Sequence, residues 1–115
     1  MGYHKSSGNI TSTANYYIIA SGSGQTVTID INNKMLFVCN AEINDNSTST
    51  YIRVKLSRSG TDYWLCEEYG DGSDGKLSKN IIIPVQPNDQ IKIYIGNGAT
   101  TQKYAYVVYG GLQID

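Results

Sequence analysis

The stretch IIIPVQPNDQIKIYIG, Ile81 to Gly96, decides the fold. In its second half Ile91, Ile93 and Ile95 alternate with Lys92 and Tyr94, so an extended chain places all three isoleucines on one side. On a helix the same residues would be spread around the axis. Between the halves lies QPND, Gln86 to Asp89, a tight turn with proline at a favoured corner. Pro84, at the end of the first half, lacks a backbone N–H and is tolerated only at a sheet edge or a bulge. An antiparallel sheet is the structure these signals describe.

Working outward, the same period recurs on both sides. TYIRVKLS points Ile52, Val54 and Leu56 inward, and Tyr51, Arg53 and Lys55 outward as an aromatic flanked by two cations. RSGTD turns that strand into YWLCEE as a hairpin. MLFVCNAEI shares one face among Met35, Phe37, Cys39, Ala41 and Ile43, and its other face opens with Leu36 and Val38, which are expected to be covered. QTVTIDI alternates Val27, Ile29 and Ile31 with Thr26, Thr28 and Asp30. YYIIA, Tyr16 to Ala20, is read as the first strand, and residues 1–15 as a loose polar arm. KYAYVVYGGLQID closes the chain as a strand broken by Gly110 and Gly111, with its end tied into a sheet. About eight strands separated by turn signals predict an all-β chain, an antiparallel β-sandwich of jelly-roll type, with residues 16–115 as its single domain.

Composition narrows the functional classes. The chain has 115 residues, 17% of them charged, and a net charge of −1. That length supports one core, and the surface is polar through Ser, Thr and Asn rather than through charge. The nine basic residues form no stripe, which argues against a nucleic-acid partner. No apolar run approaches the length needed for membrane insertion, and MGYHKSSGN has no apolar segment of a signal peptide behind it. Cys39 and Cys66 read as thiols inside apolar runs rather than as a staple. Two cysteines and the single His4 are too few for a zinc site, and no cofactor motif is present.

The best candidate for a site is EEYGDGSDGK, Glu67 to Lys76, with four carboxylates and three glycines. Its spacing does not match an EF-hand. Glu67 and Glu68 are neighbours on a strand end, point to opposite faces, and cannot flank one glycosidic bond together. A hairpin loop whose glycines supply positive φ explains every residue of DGSDG. No acid, base and nucleophile set can be assembled, so the chain is expected not to be an enzyme. Tyrosine is the outlier, ten copies against one Phe and one Trp, and exposed Tyr and Trp supply rigid contact area with a polar handle.

The apolar strand, Pro/Asn/Asp turn and alternating strand of IIIPVQPNDQIKIYIG, followed by KYAYVVYGGLQID with glycines before its apolar end, resemble the heads of the complement-component and tumour-necrosis-factor superfamily. They also resemble the head domains of bacteriophage tail fibres and other receptor-binding virion proteins. The resemblance implies a jelly roll assembling as a homotrimer in a virion, among other virion proteins, and binding a host-surface glycan or protein. Loops 44–50, 68–76 and 96–102 are the expected recognition segments. Trp64, Tyr69, Asp71 and Asp74 are the expected contact residues for a saccharide. A monomeric carbohydrate-binding module and a purely structural decoration or head-fibre protein are the alternatives.

Overall fold

The structure is a computed structural model and describes residues 11–113. Eight strands are β1 (Thr11–Ile19), β2 (Gly24–Asp30), β3 (Met35–Ile43), β4 (Tyr51–Arg58), β5 (Thr61–Tyr69), β6 (Leu77–Val85), β7 (Gln90–Gly96) and β8 (Lys103–Gln113). They form two antiparallel four-stranded sheets, in the orders β1-β8-β3-β6 and β2-β7-β4-β5. Four pairings are nested: β4 with β5, β3 with β6, β2 with β7 and β1 with β8. A long antiparallel hairpin folded over on itself produces this nesting, which is the layout of a jelly roll. Its innermost turn holds Ser59 at φ 52° and Gly60 at φ 80°, two left-handed residues whose twist matches the strands they join.

The core lies between the sheets and is built from the residues that the alternation marks. Phe37, Cys39, Ala41 and Ile43 of β3 face Ile52, Val54 and Leu56 of β4 and Ile91, Ile93 and Ile95 of β7, all buried. Pro84 sits on β6, an edge strand, as its missing donor requires. Cys39 is a free, buried thiol whose pKa burial pushes up to about 11, and Cys66 is free and half-buried. Both are unsuited to thiolate chemistry.

Three expectations about the strands change. β1 begins at Thr11 rather than Tyr16, because TSTAN pairs in register with β8, from Thr11 opposite Gly111 to Asn15 opposite Val107. Small polar residues carry no period-two signal, and the partner strand decides. What the sequence suggests for residues 1–10, His4 included, and for Ile114 lies outside the described residues. β8 is not broken at Gly110 and Gly111 but runs unbroken between β1 and β3, and a Cβ on Gly111 would lie 2.1 Å from the Met35 Sδ. The glycine thus leaves room within the sheet for the Met35 side chain. Finally, Val38 is 37% exposed and Leu36 half-buried, with no element laid over them among the described residues.

Register also gathers the loops. Ile43 lies opposite Leu77 and Ala105, and Tyr51 opposite Tyr69 and Gly96. The connections β3–β4, β5–β6 and β7–β8 therefore emerge at the same end of the sandwich. The β5–β6 connection crosses from one sheet to the other, so DGSDG is a crossover and not a hairpin loop. Its glycines do supply the left-handed conformations expected, with φ 87° at Gly72 and 127° at Gly75.

Candidate functional site

The outer face of the β2-β7-β4-β5 sheet is a grid of polar and aromatic side chains in four rows. From the loop end, β4 and β5 contribute Tyr51 beside Tyr69, Arg53 beside Glu67, Lys55 beside Trp64, and Ser57 beside Asp62. β7 extends the rows with Gly96, Tyr94, Lys92 and Gln90, and β2 with Gly24, Thr26, Thr28 and Asp30. Strict alternation from Glu67 would turn Trp64 inward. A β-bulge at Leu65, opposite the Val54–Lys55 step, restores it to the outer face, while Leu65 packs against the core.

Two cation–aromatic clusters follow. The Arg53 guanidinium lies 4.3 Å from the Tyr51 ring centroid and 5.4 Å from that of Tyr69, and the two rings are 5.9 Å apart. Arg53 also donates to the Tyr69 hydroxyl, and its Nε lies 3.4 Å from Glu67 without hydrogen-bond alignment. One row on, the Lys55 ammonium lies 5.6 Å from the Trp64 ring and 5.7 Å from that of Tyr94. The indole is 56% exposed and 5.9 Å from Tyr94. Stacking a cation on an aromatic face fixes both without covering the ring's other side.

Charge on this face is uneven. Lys55 and Lys92 stand directly opposite each other, an arrangement that costs stability unless something negative intervenes. The Lys55 ammonium donates to Asp62 Oδ2 at 3.1 Å, and that hydrogen bond raises the Lys55 pKa. Lys92 makes no ion pair among the described residues. The result is a cationic centre walled by Trp64 and Tyr94.

Of the four residues singled out by sequence, Trp64 and Tyr69 share this face, roughly 13 Å apart along the strand. Asp71 and Asp74 are in the β5–β6 connection at the loop end. Asp71 accepts from Asn46 Nδ2 at 2.6 Å, Ser73 Oγ at 2.6 Å and Ser73 N at 2.9 Å, so its carboxylate ties two loops together. Those hydrogen bonds, Ser73 foremost, hold its pKa below the ordinary range. Asp74 lines a polar recess with Asn44, Ser73 and Lys103. Glu67 and Glu68 do point to opposite faces: Glu67 meets Arg53 on the outer face, and Glu68 meets Lys79 of the other sheet at 3.1 Å. Sequence reasoning missed Arg53, Lys55, Lys92 and Tyr94 as a set, although the outward positions of all four were readable from the alternation of TYIRVKLS and QIKIYIG. Only their adjacency across strands was hidden.

No family model and no curated protein matches the sequence. Among solved structures the chain is similar to an exo-β-1,3-galactanase from Phanerochaete chrysosporium with galactose, at 13% identity and TM-score 0.38, over 95% of this chain and 29% of that one. It is similar to the enzymatically active domain of tailspike protein 4 from bacteriophage CBA120, at 12% identity and TM-score 0.47, over 95% and 19%. It is also similar to a chain of infectious bursal disease virus, Gx strain, at 15% identity and TM-score 0.33, over 98% and 36%. The chain thus spans little more than a third of their length at most. At these scores the likenesses assign neither an activity nor a ligand to it. They do correct the expectation that the chain is not an enzyme, because two of the three similar structures are enzymes. Chemistry that needs only two carboxylates requires no such acid, base and nucleophile set.

Proposed function

We propose that the protein is a receptor-binding domain of a virion that engages a saccharide through the outer face of the β2-β7-β4-β5 sheet. One observation carries the reading: Trp64 and Tyr94 wall a centre in which Lys55 and Lys92 oppose each other, with exposed ring area beside unneutralised positive charge. Sugar rings present C–H faces that stack on aromatics and hydroxyls that bond to charged groups, and a carboxylate on the sugar relieves the lysine pair. An acidic saccharide is the ligand class that matches both features. Setting this face on a virion follows the resemblance of the strand pattern to receptor-binding heads, and the nested-hairpin sandwich is the architecture that resemblance implies.

The test is a glycan array probed with the purified protein and with Trp64→Ala and Lys92→Glu. The wild type is expected to retain carboxylate-bearing glycans over neutral ones, and each variant to lose about tenfold or more in affinity, the order of a contact worth 1.4 kcal/mol. Equal retention by folded W64A and K92E would overturn the assignment of this face. Silence on every glycan, combined with binding to capsids, would favour a structural decoration protein.

A further inference from the structure

The four sheet edges are not equally protected. β5 carries a bulge and the carboxylates of Asp62, Glu67 and Glu68. β6 carries Pro84 and Lys79, and β2 is shorter, at seven residues, ending at Asp30. Bulges, prolines and charges are the usual means of preventing one edge from adding another strand. β1 has none of them. Its nine residues, TSTANYYII, include no charge and no proline, and they pair with β8 without a register shift. Its two large outward side chains are apolar and exposed, Tyr16 at 77% and Ile18 at 64%. They continue across the sheet into Tyr104, at 60%, and Tyr106, whose ring lies 6.1 Å from that of Tyr16.

From this edge we infer that two copies of the protein associate by antiparallel pairing of β1 with β1, in place of the homotrimer that the strand-pattern resemblance implies. The choice of a second copy rests on charge and continuity. A strand with no charged residue meets itself with no like charges opposed, whereas β5 meeting itself would crowd carboxylates. The tyrosine and isoleucine patch on β1 and β8 is doubled by its own image, giving one apolar strip across the four central strands of an eight-stranded sheet. Antiparallel pairing of identical strands has its two-fold axis normal to the sheet, so the interface is isologous and closed. The same axis leaves the outer faces of both β2-β7-β4-β5 sheets pointing the same way. If the saccharide reading holds, the dimer is therefore bivalent toward a single surface, which raises avidity by about a hundredfold or more.

The test begins with mass, which does not depend on any ligand. Light scattering of the full chain over a dilution series is expected to show two copies passing to one. In Tyr16→Lys and Ile18→Lys, where the exposed positions leave folding intact by circular dichroism, the dissociation constant is expected to rise about tenfold or more. Amide exchange of β1 in the wild type is expected to slow as concentration rises. A monomer at all concentrations, a trimer, a dimer unaffected by both lysines, or β1 protection independent of concentration would each overturn the inference. Glycan retention by Y16K on a dilute array, measured separately, reports on the saccharide face alone.

Discussion

At the scale of single residues, stability rests on a few contacts that substitution separates cleanly. Gly70 and Gly111 both lack room for a methyl group, but for different reasons. A Cβ on Gly70 would meet the carbonyl oxygens of Ser47 at 2.1 Å and Asn46 at 2.5 Å, which are backbone. On Gly111 it would meet the end of the Met35 side chain, which can swing away. Gly70→Ala is expected to cost about 3 kcal/mol and Gly111→Ala about 1 kcal/mol, read as urea midpoints at constant slope. Equal costs would mean that Met35 is as fixed as the loop backbone.

Asp89 is the other sensitive residue. It is 2% exposed and takes two hydrogen bonds from Arg58, 2.9 Å from Nε and 2.7 Å from Nη2, with a third from Gln86 N at 2.9 Å. The Arg58 bonds hold its pKa below the ordinary carboxylate range against the opposing effect of burial. Since the folded value lies below the unfolded one, near 3.9, the stabilisation is complete above that value and is lost as pH falls through the folded one. Asp89→Asn is expected to cost about 2 kcal/mol at pH 7, and the gap to wild type should close as acid is added below about pH 4. A gap that stayed constant with pH would show that the charge on Asp89 contributes nothing.

At the scale of elements, the strands were readable because burial on one face imposes a period of two, as in QIKIYIG and TYIRVKLS. What was not readable is non-local. TSTAN became part of β1 because β8 lies beside it, and Gly110 and Gly111 stayed within β8 because β3 packs close against them. The bulge at Leu65 is the element-scale feature on which the site depends, since it sets Trp64 on the same face as Lys55. Deleting Leu65 should regularise β5 while leaving Trp64 outward, because Cys66 and Trp64 then alternate directly. The expected outcome is a folded protein destabilised by about 1–2 kcal/mol from lost burial, with the emission of its one tryptophan still that of an exposed indole. A strong blue shift would show that Trp64 had turned into the core.

At the scale of the whole molecule, the two sheets have unlike outer faces. One is charged and aromatic, with Arg53, Lys55 and Lys92 among Tyr51, Trp64, Tyr69 and Tyr94. The other exposes Tyr16, Ile18, Val38, Ile82 and Tyr104 beside a polar cluster of Asn40, Glu42 and Ser78. On the two proposals above, a sandwich built this way separates binding from association. The sequence showed the residues of both faces, but the sheet order that assembles each face came only from the fold. The acidic loop that attracted notice, EEYGDGSDGK, supplies Glu67 and Tyr69 to the binding face and otherwise closes the loop end.

The central claim, that an acidic saccharide lies on the grid between Trp64 and Lys92, is tested most directly by a nuclear magnetic resonance titration with an oligogalacturonate. Shifts concentrated at the Trp64 indole N–H and at the backbone of Lys55, Lys92 and Tyr94 are the result the account predicts. Shifts confined to the loop end around Asp74 and Lys103, or to the face of Tyr16 and Ile82, would contradict it.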